Sequence, residues 1–193
     1  MITRKLNAAL LVPVAWALAG AVQAAEVRPL LKLGYDSGGD TIVTAFFVGG
    51  STESIKANEG FYVGGGVSIL NEARDIEMEL SFNYKLGFIA ADNGDIDWTR
   101  LPLDALVFYR FPSVRLGGGL TLHLNPKLRG DGTASGLNVP FDDALGLVLQ
   151  ADYRFTDKMT LGMRYTSVKY EAKAPFTGSF TGDGIGITFG LAF

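Results

Sequence analysis

From Asp75 to Ile89 the chain reads DIEMELSFNYKLGFI, in which Ile76, Met78, Leu80, Phe82, Tyr84, Leu86 and Phe88 alternate without a break against Glu77, Glu79, Ser81, Asn83, Lys85 and Gly87. A period of two puts each set on one face of an extended strand, whereas the 100° step of a helix scatters the same residues around its axis. The last segment, DGIGITFGLAF, repeats the pattern with Ile185, Ile187, Phe189, Leu191 and Phe193 against Gly184, Gly186, Thr188, Gly190 and Ala192. Six further stretches, opening at Leu31, Phe61, Leu101, Val114, Leu145 and Met159, alternate in the same way. The pattern predicts eight strands of about ten residues, each long enough to cross a bilayer when tilted.

The connections between them alternate in length. NEAR (Asn71 to Arg74), FPS (Phe111 to Ser113) and TDK (Thr156 to Lys158) are tight turns, while Ser37 to Glu59, Ala90 to Asp95, Asn125 to Pro140 and Glu171 to Gly182 are longer. An even number of antiparallel strands with both ends and the short turns on one side produces this rhythm. Within the first long connection, TIVTAFFVGGSTESIKAN reads as a hairpin about Gly49 and Gly50, with Gly38 and Gly39 marking a bulge below it.

Composition places the apolar excess. Hydrophobic residues make up 48% of the 193, yet only Leu6 to Ala25 is an apolar run of helix-spanning length, which excludes a bundle of membrane helices. That run follows Arg4 and Lys5 and closes on VQA at Val22 to Ala24, the layout of a secretory leader cleaved after Ala24. Residues 1–24 are therefore expected to be a signal peptide and residues 25–193 one β-barrel domain. Loss of Arg4 and Lys5 takes the formal charge from −3 to −5, so no basic patch for nucleic acid is expected. The absence of cysteine excludes disulfides and thiolate metal sites.

The charged residues settle which all-β architecture is expected. Lys32, Asp36, Glu77, Glu79, Lys85, Arg100, Asp104, Arg110, Arg115, Asp152, Arg154 and Arg164 all fall on the face opposite the apolar set. In a sandwich that face meets solvent; in an eight-stranded barrel it lines a lumen just wide enough for side chains, where seven positive and five negative groups can pair. The apolar face carries aromatics near strand ends, at Tyr109 and Phe111, Tyr153 and Phe155, and Phe193, as an interfacial girdle requires. The expectation is an eight-stranded antiparallel transmembrane β-barrel whose lumen is closed by an ionic network.

With its alternating last strand ending in Phe193, its eight strands and its short-turn, long-loop rhythm, the chain resembles the small Gram-negative outer-membrane barrels and is similar to the OmpA transmembrane domain and to OmpX. The stretches GGDTIVTAFFVGGSTESIKANEGFYVGGGVSI and PLDALVFYRFP also resemble segments of proteobacterial outer-membrane barrel proteins. The resemblance implies an outer-membrane location, contact with outer-membrane lipid and lipopolysaccharide, and reading of Phe193 by the barrel-assembly machinery. Because the chain stops at the last strand, the peptidoglycan-binding domain of full-length OmpA is not expected here. The resemblance further implies a structural or surface-interaction role, with a narrow channel or an OmpW-like transporter of small molecules as the alternative and a lipid A-modifying enzyme as a third reading.

Candidate chemistry is sparse, and no catalytic, cofactor or metal residue is expected. A lipid A deacylase of the PagL type places its His and Ser two apart on one strand, but here His123 is followed at that spacing by Asn125, and the strand's alternation turns His123 toward the lumen. Glu77 and Glu79 read as counterions for Lys85, Arg110 or Arg115. Arg129–Gly130–Asp131 spells an adhesive tripeptide that common loop residues form by chance. DNGDID at Asp92 to Asp97 lacks the frame of a calcium loop, and its Asn93–Gly94 suits a hairpin turn. Gly64 to Gly66 and Gly117 to Gly119 precede no helix and so cradle no phosphate.

Overall fold

A computed structural model describes residues 24–47 and 49–193; the leader expected over residues 1–24 lies, but for Ala24, outside the described residues. The strands in chain order are β1 (Ala24–Gly38), β2 (Thr41–Phe46), β3 (Thr52–Lys56), β4 (Gly60–Asn71), β5 (Ile76–Ile89), β6 (Ile96–Arg110), β7 (Val114–Gly130), β8 (Asn138–Pro140), β9 (Ala144–Arg154), β10 (Met159–Glu171), β11 (Ser179–Thr181) and β12 (Gly184–Ala192). Eight of them, β1, β4, β5, β6, β7, β9, β10 and β12, pair antiparallel in that cyclic order. β12 returns to β1, with Leu31 opposite Leu191 and Gly38 opposite Gly184, so the sheet closes into a barrel with no free edge.

Alternation decides what faces where. On β1 Leu33 is 52% exposed and Lys32 only 2%, and on β10 Met163 is 64% exposed and Arg164 only 4%. The outside is therefore apolar and the inside ionic, the inverse of a soluble domain. Aromatic pairs close the band at the end holding the short turns, where Tyr109 and Phe111 stack edge-on at 5.0 Å and Tyr153 and Phe155 at 5.1 Å. Near the other end Tyr35 meets Phe61 at 4.6 Å.

The long connections are more structured than their composition suggests. β2 and β3 form the hairpin about Gly49 and Gly50, and both Gly38 (φ 127°) and Gly39 (φ 84°) adopt the backbone that lets β1 break off into it. Strand β7 does not stop at Asn125 as its alternation suggested. Asn125, with φ 46°, absorbs one residue as a bulge, after which the parity flips and Leu128 points inward. The segment Asn125 to Pro140 is thus corrected from a loop to a strand end and a return, with β8 folding back so that Leu128 faces Val139. Likewise β11 lies along β10, Tyr170 opposite Phe180.

These extensions build an apolar cap over the loop end of the lumen. Trp98 is fully buried there, 5.0 Å from the Phe141 ring and 5.2 Å from Tyr170, with Ile55, Ala57 and Val168 packed around them. Burial of several large side chains at ~25 cal/mol per Å2 of apolar surface gives this end a core of its own. The β2–β3 hairpin supplies part of it: the Trp98 indole N–H donates to the Ala57 carbonyl at 2.9 Å, and the Asn58 amide N–H donates to the Gly38 carbonyl at 3.1 Å.

Candidate functional site in the barrel lumen

Beneath the cap the inward residues are arranged in tiers. At the turn end Arg28 donates to Glu26 at 2.6 Å and to the Asp157 carbonyl at 2.7 Å. Arg110 lies 3.3 Å from Glu77 and 3.6 Å from Asp157. Arg154 is not in the lumen proper but at this rim, donating to the Phe111 carbonyl and to Asp157, both at 2.7 Å.

The next tier is centred on Arg115. Register places it directly opposite Asp152 on β9, and its guanidinium reaches Asp152 at 2.7 Å, Glu77 at 2.8 Å and Glu79 at 2.6 Å. Three carboxylates on one cation are balanced from the side: Lys32 donates to Glu79 at 3.1 Å and the Ser68 hydroxyl donates to Glu77 at 2.6 Å. The guanidinium also lies 4.2 Å over the Phe108 ring. Glu77 and Glu79 share a face two residues apart, so one Arg can bind both.

Above this, Arg164 grips Asp104 in a two-pronged contact of 2.7 and 3.1 Å, and Asn83 donates to the same carboxylate at 3.3 Å. Higher again, Lys85 donates to Asp36 at 2.5 Å and to the Asn58 side chain at 2.9 Å, which ties β5 to the base of the β2–β3 hairpin. Arg100 has no carboxylate partner among the described residues. It donates to the carbonyls of Glu59 (2.6 Å) and Trp98 (3.1 Å) and lies 4.9 Å from the Trp98 ring centre. Glycines make the room: a Cβ at Gly162 would overlap the Asp152 carboxylate, and one at Gly186 that of Asp36.

Two separate voids of about 10 Å3 each open within the lumen, one bordered by Glu79, Arg110 and Arg115, the other by Asp36, Tyr62, Asp104 and His123. Each is the size of a single water. His123 is 1% exposed and its Nδ1 shares a 2.6 Å hydrogen bond with the Tyr170 hydroxyl, whereas the Ser68 hydroxyl is engaged by Glu77. No group of three metal-ligating side chains stands together among the described residues. Arg129 and Asp131 are exposed beside a strand end, with Gly130 paired to Ile96.

Of the twelve charged residues the alternation singled out, Lys32, Asp36, Glu77, Glu79, Lys85, Arg100, Asp104, Arg110, Arg115, Asp152 and Arg164 are 7% exposed or less, in the interior, and Arg154 alone stands at the rim. Arg28, Asn58, Trp98 and Tyr170 escaped the alternation, whereas Tyr62, opposite in phase to Phe61 and Val63, is buried on the face it predicts. Arg28 is in phase with Lys32, and continuing β1 past Pro29 would have found it. Asn58 is brought in by the hairpin and carries no periodic signal.

A closed antiparallel barrel of eight strands, apolar outside and ionic within, is the architecture of a small membrane-spanning barrel. The family model of the outer membrane protein beta-barrel domain matches residues 8–193, and the chain belongs to that family. It is an integral outer-membrane protein, a class whose short turns face the periplasm and whose long connections face the exterior. Two solved barrels are similar in fold. Neisserial surface protein A shares 12% identity at a TM-score of 0.52, covering 88% of this chain and 99% of its own. Ail, the attachment invasion locus protein of Yersinia pestis, solved in complex with the heparin analogue sucrose octasulfate, shares 12% at 0.53, covering 86% and 98%. Comparison with curated proteins finds none that matches.

Proposed function

We propose that this barrel is closed to solutes and that its contribution is structural and surface-interactive: it anchors, in the outer membrane, a folded exterior crown. The observation that carries the reading is the filling of the lumen by buried ion-paired tiers below and a Trp-centred cap above, between which voids of about 10 Å3 hold no more than a water. Planar-bilayer recording of the refolded protein checks it: no discrete current steps for the wild type, and leak currents once Glu79→Ala or Arg110→Ala loosens the lower tiers. Regular single-channel steps from the wild type would instead favour the narrow-channel reading.

The same reading contains no catalytic step. His123 is sealed in the interior against Tyr170, away from any acyl chain, and lipid A of unchanged acylation on expression is the expected result. Residues 1–24 act as the leader, so amino-terminal sequencing of the exported chain should begin at Ala25. Phe193, exposed beyond β12 with its N–H on the Pro29 carbonyl at 3.0 Å, serves as the signal for the assembly machinery. Its removal should lower the yield of folded, heat-modifiable protein in outer membranes without altering folding in detergent.

A sulfated saccharide of the kind bound to Ail does not suit this crown. Residues 39–59, 90–97, 127–143 and 169–183 together hold eleven carboxylates and five basic side chains. Two of the five, Lys169 and Lys173, already face Glu171 and Asp142 at 3.4 and 3.9 Å.

A further inference from the structure

Between the tip of the β2–β3 hairpin and the β5–β6 connection runs a groove of about 600 Å3, within the range of pockets that bind a side chain or small ligand. Ile89 and Ile96 form its buried floor, Phe46 and Phe47 one wall, Ala134 the other, and Asp92 stands on its rim. Phe47 packs against the apolar cap, which fixes the wall, while Phe46, one residue before it, is turned out and 81% exposed. This ring lies on the exterior side of Ile89, beyond the Tyr35–Phe61 pair, so the lipid band does not account for its exposure. The surrounding charge is mostly acidic, with Arg129, opposite Asp97, the exposed basic neighbour of Asp131. Asp92 and Asp131 are exposed and have no ion pair among the described residues, and the crown holds eleven carboxylates against five basic groups.

We propose that the groove is a docking site for a cationic amphipathic peptide segment. One apolar side chain of the segment enters between Phe46 and Ala134 over the isoleucine floor, and flanking Lys or Arg side chains face Asp92 and Asp131. An aromatic wall over an apolar floor supplies the anchor, and the acidic rim selects sign and draws the segment in. Anionic peptides and sulfated saccharides are repelled by the same rim. The proposal rests on the reading of the protein as a closed barrel that displays its crown, and deepens it by giving the partner's chemistry.

The test uses the refolded full barrel in phosphatidylcholine nanodiscs, with empty discs as the baseline. The probes are a short fluorescein-labelled Leu/Lys peptide, its Leu/Glu counterpart and an uncharged alkyl dye. Expected is saturable binding of the Leu/Lys peptide above the baseline, weakened about tenfold or more by Phe46→Ser. Joint Asp92→Asn and Asp131→Asn, which break no hydrogen bond of either side chain, should weaken it about three- to tenfold and flatten its salt dependence. Heat-modifiable migration of every variant confirms an intact barrel. Equal binding by empty discs, an unchanged affinity in Phe46→Ser, or equally tight binding of the Leu/Glu peptide would overturn the proposal. Equal affinity for the alkyl dye would overturn it too, in favour of a purely apolar ligand. Current recordings on the same preparation test the closed-lumen reading separately, because peptide capture at the crown does not depend on whether the lumen conducts.

Discussion

Arg115 and Arg154 lie on the lumen face of neighbouring strands, yet their surroundings assign them opposite weights. Arg115 is 2% exposed and answers three carboxylates, so Arg115→Ala leaves Glu79 to Lys32, Glu77 to Arg110, and Asp152 buried without a cation. A loss of about 3–5 kcal/mol is expected, read as a lower urea midpoint of the refolded barrel in lipid vesicles. Arg154 pairs with Asp157, whose side chain is 60% exposed at the rim, and Arg154→Ala should cost within about 1 kcal/mol in the same titration. Equal costs for the two would show that the ionic tiers are not selectively stabilising. Gly186 offers an independent check. Its missing Cβ leaves the space that the Asp36 carboxylate occupies beside Lys85, so Gly186→Ala should cost about 1–3 kcal/mol although only a methyl is added.

At the level of elements, strands with one apolar and one polar face were fully legible. β5 and β12 alternate across their whole length, and in both the inward set is the one the pattern named. Alternation is a property of neighbours along the chain, so it fails wherever a residue is inserted or where inside and outside are both apolar. Asn125 is the first case: one bulge residue reverses the phase, and the end of β7 reads as loop. Its positive φ predicts that Asn125→Gly is tolerated, whereas Asn125→Val should destabilise by about 1–2 kcal/mol, measured as a shift in the heat-modification midpoint. The cap is the second case. Trp98, Phe141 and Tyr170 face inward while outward neighbours above the membrane are polar, so the polarity of the pattern inverts part-way up the same strands. Trp98→Ala should cost about 3–5 kcal/mol in thermal unfolding and free the β2–β3 hairpin from the mouth, detectable as faster proteolysis near Lys56.

Taken whole, the molecule separates charge by compartment. Its interior buries seven cations against five anions, whereas its exterior carries carboxylates in about twofold excess. Interior pairs are shielded from ions in solution and the exterior ones are not, so added salt should weaken any charge-steered partner while leaving the unfolding midpoint of the barrel almost unchanged. A midpoint that falls steeply with salt would place the ionic tiers in contact with bulk solvent. The fold also explains why no span after Ala25 looks hydrophobic enough to enter a membrane: each strand contributes a half-share of apolar side chains, and closure satisfies the backbone.

That closure is made by β1 and β12, hydrogen-bonded side by side with Leu30 opposite Ala192. The barrel is in this respect a ring cut at one seam, and the seam's position is set by which strands come first and last in the chain more than by the architecture. The two strand ends emerge next to each other on the periplasmic side, so a short Gly/Ser bridge can join them and a new opening be made at the Phe111–Ser113 turn, leaving every neighbouring pair of strands intact. Such a permuted chain should still form a heat-modifiable barrel in detergent. Opened between Arg110 and Phe111, the chain in cells would end on β6 without a terminal Phe, Phe193 having become internal, which makes it a means of separating what the ring needs in order to fold from what the assembly machinery needs in order to recognise it.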